Sequence, residues 1–176
     1  KSIYFKGNKA IVQMEKWTPI DSFIEKHSTN CKKYRNILAS LRQLLNKMVQ
    51  HNIICLDIKP QNTVIRKNKV KLIDFGMEYC VPCHKNISPR NRKALVNACM
   101  YQFCTLAKYT FGMGCKINFK IDNIALNMLK GKKPKGINQS RCLRNIVSDL
   151  SYLFSFYSPG QSRMNFEQIL RLIKDL

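Results

Sequence analysis

Residues 55 to 62 read Cys-Leu-Asp-Ile-Lys-Pro-Gln-Asn, and residues 73 to 76 read Ile-Asp-Phe-Gly. Two carboxylates (Asp57, Asp74), a carboxamide (Asn62) and an ammonium (Lys59) thus lie close together in the chain. Carboxylate and carboxamide oxygens are hard ligands of the type Mg²⁺ takes. A carboxylate can also orient a hydroxyl and accept its proton, and a lysine can balance negative charge that develops during group transfer. A second set is Cys80-x-x-Cys83-His84. Zinc would call for a further ligand pair at finger-like spacing, and the chain has none; the same run spells a haem-attachment C-x-x-C-H, as one short isolated match. Of the eight cysteines, Cys99 and Cys104 fall in an apolar helical stretch and are expected to be core thiols. Cysteines of this pattern are expected to be reduced, in an intracellular compartment.

In order and spacing, the two segments resemble the catalytic loop H-R-D-L-K-P-x-N and the metal segment D-F-G of eukaryotic-type protein kinases. The Asp57-to-Asn62 spacing matches the D-x-x-x-x-N of that loop. The resemblance implies that Asp57 orients and deprotonates the attacking hydroxyl. It gives Lys59 the charge balance at the transferring phosphate, and Asn62 and Asp74 the Mg²⁺. Lys59-Pro60 looks like the serine/threonine branch of the family. Phe75 and Gly76, completing the D-F-G, join the nucleotide-binding set. Ile11 to Trp17 resembles the last N-lobe strand and hinge, with Met14 as gatekeeper, the Glu15 carbonyl and the Trp17 N–H facing adenine; Met14 and Trp17 also read as plain core residues. Ser158-Pro159 followed by Arg163 resembles the D-P-x-x-R-P turn before the final kinase helix. The implied division is 1–17 for the last N-lobe strands and hinge, and 18–176 for a kinase-like C-lobe.

Departures from the family pattern are as informative. Nothing corresponds to the Gly-rich loop, the strand lysine or its glutamate partner, so ATP and Mg²⁺ are expected cofactors only if an N-lobe precedes Lys1. The H-R pair is replaced by Cys55-Leu56, and Leu56 cannot pair with a phosphorylated activation loop. Only 14 residues, Met77 to Arg90, separate Asp-Phe-Gly from the next helix, and no A-P-E is present. Arg163 thereby lacks its usual glutamate. Asn97 is the candidate on the long helix to steady the catalytic loop. With its brief late helices and Lys- and Asn-rich composition, the chain looks like the divergent kinases of large DNA viruses.

The elements that must position these residues follow from periodicity. Ser2 to Phe5 and Ala10 to Met14, split by Gly7-Asn8, predict a β-hairpin. Asp21 or Ser22 can cap a short helix through about His27. Ile37, Leu38, Leu41, Leu44, Leu45, Met48 and Val49 form one apolar stripe, with Arg35, Arg42, Gln43 and Lys47 on the other face. Asn62 to Ile65 and Val70 to Ile73, split by Lys67-Asn68, predict a second hairpin. Asn91 to Phe111 predicts a buried helix ended by Gly112 and Gly114. Asp122–Leu129, Ser140–Phe156 and Asn165–Leu176 predict three more, with Lys130 to Gly136 as an exposed loop. The class is mainly α with small β-hairpins (α+β).

The chain has 31 Lys+Arg against 10 Asp+Glu, a formal charge of +21. Such a field attracts nucleic acid or acidic partners, but the only dense basic cluster is Lys130, Lys132, Lys133 and Lys135, and no nucleic-acid motif accompanies it. No apolar run reaches the roughly 20 residues of a membrane span. Because the chain opens on Lys1 in strand-like sequence, further residues are expected upstream. The leading expectation is a Ser/Thr protein kinase acting on a protein substrate. The alternative is an inactive C-lobe mimic or pseudokinase that docks on a host kinase, as some insect-virus proteins do. A basic structural virion or nucleic-acid-associated protein comes third.

Overall fold

Turn chemistry shapes the β part of the computed structural model, which describes residues 2–7, 9–13, 15–27, 29–74, 80–82, 87–115, 121–132 and 141–156. Strands β1 (Ser2–Lys6) and β2 (Lys9–Gln13) pair antiparallel, Ser2 opposite Gln13 and Lys6 opposite Lys9. Strands β3 (Thr18–Pro19), β5 (Thr63–Arg66) and β6 (Lys69–Leu72) form an antiparallel sheet in the order β3-β5-β6. The β5–β6 loop is Lys67 and Asn68, with φ of 45° and 61°. Two positive φ values give the primed turn whose twist matches the flanking strands. A third pairing was not expected: β4 (Ile53–Cys55) runs antiparallel to β7 (Cys80–Pro82), Ile53 opposite Pro82.

Side-chain caps start most of the helices. Helix α1 (Ile20–Lys26) is the exception: it starts directly after Pro19, and Asp21 sits inside the first turn, accepting from the Ser22 N–H at 2.6 Å instead of capping. Helix α2 (Cys31–Gln50) is capped by Asn30, which accepts from the Lys33 N–H at 3.1 Å. It buries Tyr34, Ile37, Leu41, Leu45 and Val49 along one stripe, with Leu38, Leu44 and Met48 at its margins. Helix α3 (Pro89–Tyr109) opens with Ser88 as cap and Pro89 at the first position, where no intrahelical N–H bond is lost. Its sides from Ala94 to Ala107 are buried almost all round, so it forms the centre of the core against α2 and α4. It ends at Tyr109, and beyond it Gly112, with a φ of 69°, lets the Met113 N–H close back on the Ala107 carbonyl at 3.0 Å. Helix α4 (Asn123–Leu129) is capped by Asp122, and α5 (Arg141–Phe156) lays Ile146, Val147, Leu150, Leu153 and Phe154 into the core. The architecture is mixed α and β, with the helices dominant and the sheets small.

The cysteines divide. Cys31 at the start of α2 and Cys115 beyond α3 are joined as a disulfide, with Cα atoms 5.4 Å apart, so the expectation of uniformly reduced cysteines fails for this pair. The packing of α2 beside the end of α3 brings together two residues that no sequence spacing links. Cys55, Cys99 and Cys104 are buried thiols. Burial pushes the Cys99 and Cys104 thiols up to about 12, in keeping with inert core residues. Among the described residues, no helix is long and apolar enough to cross a membrane. The expected helix Asn165–Leu176, the Ser158-Pro159 turn and Arg163 lie outside the described residues.

Candidate active site

The loop from β4 to β5 is fixed by its apolar residues before its polar ones come into play. Leu56 and Ile58, both fully buried, anchor the backbone on either side of Asp57. From α3, Gln102 donates its Nε2 to the Leu56 carbonyl at 3.0 Å, and the Cys99 thiol reaches the Cys55 carbonyl at 3.6 Å. Pro60 then opens a single 3₁₀ turn, Pro60–Asn62, stapled when the Thr63 hydroxyl donates to the Lys59 carbonyl at 2.8 Å. That turn reverses the chain so that residues 57, 59 and 62 face one another.

Asp57 Oδ2 is the meeting point. The Asn62 carboxamide donates Nδ2 to it at 2.6 Å, and Lys59 Nζ lies 2.9 Å away. Both partners are charged or strongly polar and largely screened from water, so the carboxylate is held in one orientation. With Nδ2 turned toward Asp57, Oδ1 is the atom Asn62 would offer a cation. The Asn62 carbonyl accepts the Ile73 N–H at 2.8 Å, which ties the end of β6 to the turn and brings the exposed Asp74 beside it in the chain path. Asp74 has a φ of 61°. A non-glycine residue in that region is strained, and such strain clusters at functional sites. Sequence reasoning gave no hint of it.

The expected hinge residues come to the same sheet. Thr18 pairs with Ile65 and Pro19 with Val64, so the segment before β3 runs beside β5. Glu15 bonds Arg66 at 3.1 Å and accepts the Trp17 indole N–H at 3.2 Å; these contacts hold its carboxyl below its ordinary value. Lys71 Nζ stands 4.1 Å from the centre of the half-buried Trp17 ring, a cation–π contact. Glu15 and Trp17 therefore flank the β5–β6 hairpin whose base carries Asn62 and Asp74. Met14, Phe75, Gly76, Cys83 and His84 lie outside the described residues, as do Lys133 and Lys135. Of the basic cluster, Lys132 is exposed, but Lys130 is half-buried at the end of α4 and not part of an open loop.

One expected role passes to other residues. Asn97 does not steady the catalytic loop: it accepts from Arg42 at 2.8 Å and donates to Asp122 at 2.7 Å, bracing α2, α3 and the start of α4. Facing is the reason, since Asn97 lies on the side of α3 turned to α2 and α4, whereas Gln102 and Cys99 face the loop. Gln102 was invisible in sequence because a lone glutamine among Met100, Tyr101 and Phe103 belongs to no motif. Partial burial pushes the Asp122 carboxyl up, but N–H donors of Ala125 and Ile124 and the Asn97 amide outweigh it and hold the group below its ordinary value.

The donor set can be tested against the implied metal. Among the described residues no group of three or more His, Cys, Asp or Glu could hold an ion. Asn62 and Asp74 supply two oxygen donors only. That number suits Mg²⁺ held mainly by waters and substrate phosphates, and does not suit an all-protein cage. Compared with known proteins, the chain matches no family model and no curated protein.

Proposed function

We propose that this chain is the C-lobe of a serine/threonine protein-kinase-like domain that transfers the ATP γ-phosphoryl group to protein hydroxyls. The observation that carries the reading is the convergence of Lys59 and Asn62 on one oxygen of Asp57, in a loop held from α3. In this reading Asp57 orients the substrate hydroxyl and takes its proton as the oxygen attacks phosphorus. Lys59 balances charge on the transferring group. Asn62 and Asp74 would hold Mg²⁺, which would supply neutralisation of the phosphate charge. Glu15 and Trp17 on the neighbouring sheet would border the nucleotide.

The test is phosphoryl transfer from Mg-ATP to a generic protein substrate by the full-length protein. Transfer is expected from the wild type and lost in Asp57→Asn. Undiminished transfer by Asp57→Asn sinks the assignment.

A second reading, a lobe that docks on another kinase without catalysis, is favoured by one observation: Leu56 stands, fully buried, where the family keeps its regulatory arginine. Inhibition of a kinase by the chain, unaltered in Asp57→Asn and without transfer by the chain itself, would identify that role.

A further inference from the structure

Outside the loop site, a cavity of about 410 Å³ opens between the turn after α4 and the solvent-facing side of α5. It is lined by Gly131, Arg144, Asn145, Ser148 and Ser151. Every lining side chain can donate a hydrogen bond: a guanidinium, a carboxamide and two hydroxyls. Among the described residues no carboxylate lines it, in a chain whose formal charge is +21. Residues 144, 148 and 151 follow one another at helical spacing, so α5 presents them as a row while Ile146, Val147 and Leu150 face the core.

The turn is shaped to leave this space open. Gly131 has a φ of 68°, and a side-chain carbon there would come within 3.2 Å of the Ser151 hydroxyl. Three carbonyls at the end of α4 already have donors. Leu126, Asn127 and Met128 accept from the N–H groups of Lys130, Lys132 and Gly131 at 3.1, 2.8 and 3.0 Å. The negative end of α4 is thus capped, and Lys130 and Lys132 flank the glycine on either side. A planar guanidinium with hydroxyl and amide donors beside it suits a tetrahedral dianion. The volume far exceeds the ~30 Å³ share of one water, which leaves room for the group that a phosphate esterifies.

We propose that this cavity binds a phosphomonoester dianion, with Arg144 as the charged anchor and Asn145, Ser148 and Ser151 as neutral donors. It is independent of the loop around Asp57. An open, short cavity with one arginine fork fits a single phosphoryl group better than the long, evenly spaced charge of a nucleic acid.

The experiment titrates the chain with inorganic phosphate, with a phosphoserine peptide and its unphosphorylated form, and with a single-stranded oligonucleotide, by calorimetry at fixed ionic strength. Binding of the phosphoserine peptide over its unphosphorylated form is expected, weakened about tenfold or more in Arg144→Gln. Ser148→Asp, which places a like charge in the cavity, should abolish it. Arg35→Gln, an exposed arginine on α2, should leave it unchanged. Binding of inorganic phosphate alone, with the same Arg144 dependence, supports the site and assigns it to free phosphate. The proposal is overturned if the two peptides bind alike and inorganic phosphate does not bind, if Arg35→Gln weakens binding as much as Arg144→Gln, or if only the oligonucleotide binds.

Discussion

At the scale of single residues, Lys59 and the buried cysteines make opposite predictions. Lys59 is bonded to Asp57 at 2.9 Å, so its loss both releases that carboxylate and removes positive charge from the proposed transfer site. Lys59→Met is expected to lower the turnover number about 100-fold or more while the melting temperature changes little, measured by steady-state kinetics beside thermal denaturation. Equal loss of stability and activity would instead make Lys59 a structural ion-pair partner. Cys99 and Cys104, with thiols pushed up to about 12 by burial, should resist alkylation at about pH 8 in the folded protein and label fully in denaturant, as read by peptide mass spectrometry. That Asp57, Lys59 and Asn62 meet was legible in sequence because they lie within one short loop. The strained φ of Asp74 and the bond from Gln102 were not, since the first is a backbone conformation and the second joins residues 46 apart in the chain.

At the scale of elements, caps and periodicity carried most of the information. The apolar stripe of α2 and the Lys67-Asn68 turn mark their elements locally, and the structure keeps both; α3 starts at Pro89, two residues before the expected Asn91. The β4–β7 pair could not be read, because two strands of three residues hold no periodicity and find each other only across the intervening hairpin. Helix α1 starts before its expected cap because Pro19 already supplies the fixed φ of a helix start. Two predictions belong here. Gln102→Leu, which strips the Leu56 carbonyl of its donor, should cost about 1–3 kcal/mol in denaturant melts and lower turnover with little effect on the Michaelis constant for ATP. Asp122 caps α4 and accepts from Asn97, and its carboxyl lies below its ordinary value in the folded state. Its contribution is therefore fully present above about pH 4 and fades as pH falls through its folded value. Asp122→Ala should cost roughly 1–2 kcal/mol at neutral pH, a difference from wild type that narrows in acid melts.

At the scale of the whole molecule, the disulfide and the loop site are the two features that couple distant parts of the chain. Cys31 and Cys115 are 84 residues apart, and closing a loop of that size is worth roughly 3–5 kcal/mol through the unfolded chain. Reduction should lower the melting temperature by about 10 °C, and Cys31→Ser with Cys115→Ser should show the same loss with or without reductant. The central claim is that the described lobe carries a phosphoryl-transfer site in which Asp57 handles the proton and Asn62 and Asp74 handle the metal. The most direct measurement is the Mg²⁺ dependence of transfer by wild type, Asp57→Asn and Asp74→Asn, each as the full-length protein. The account predicts that Asp57→Asn abolishes transfer while Mg-ATP binding persists, and that Asp74→Asn weakens Mg-ATP binding itself. Transfer that survives both substitutions, with an unchanged Mg²⁺ requirement, would contradict it.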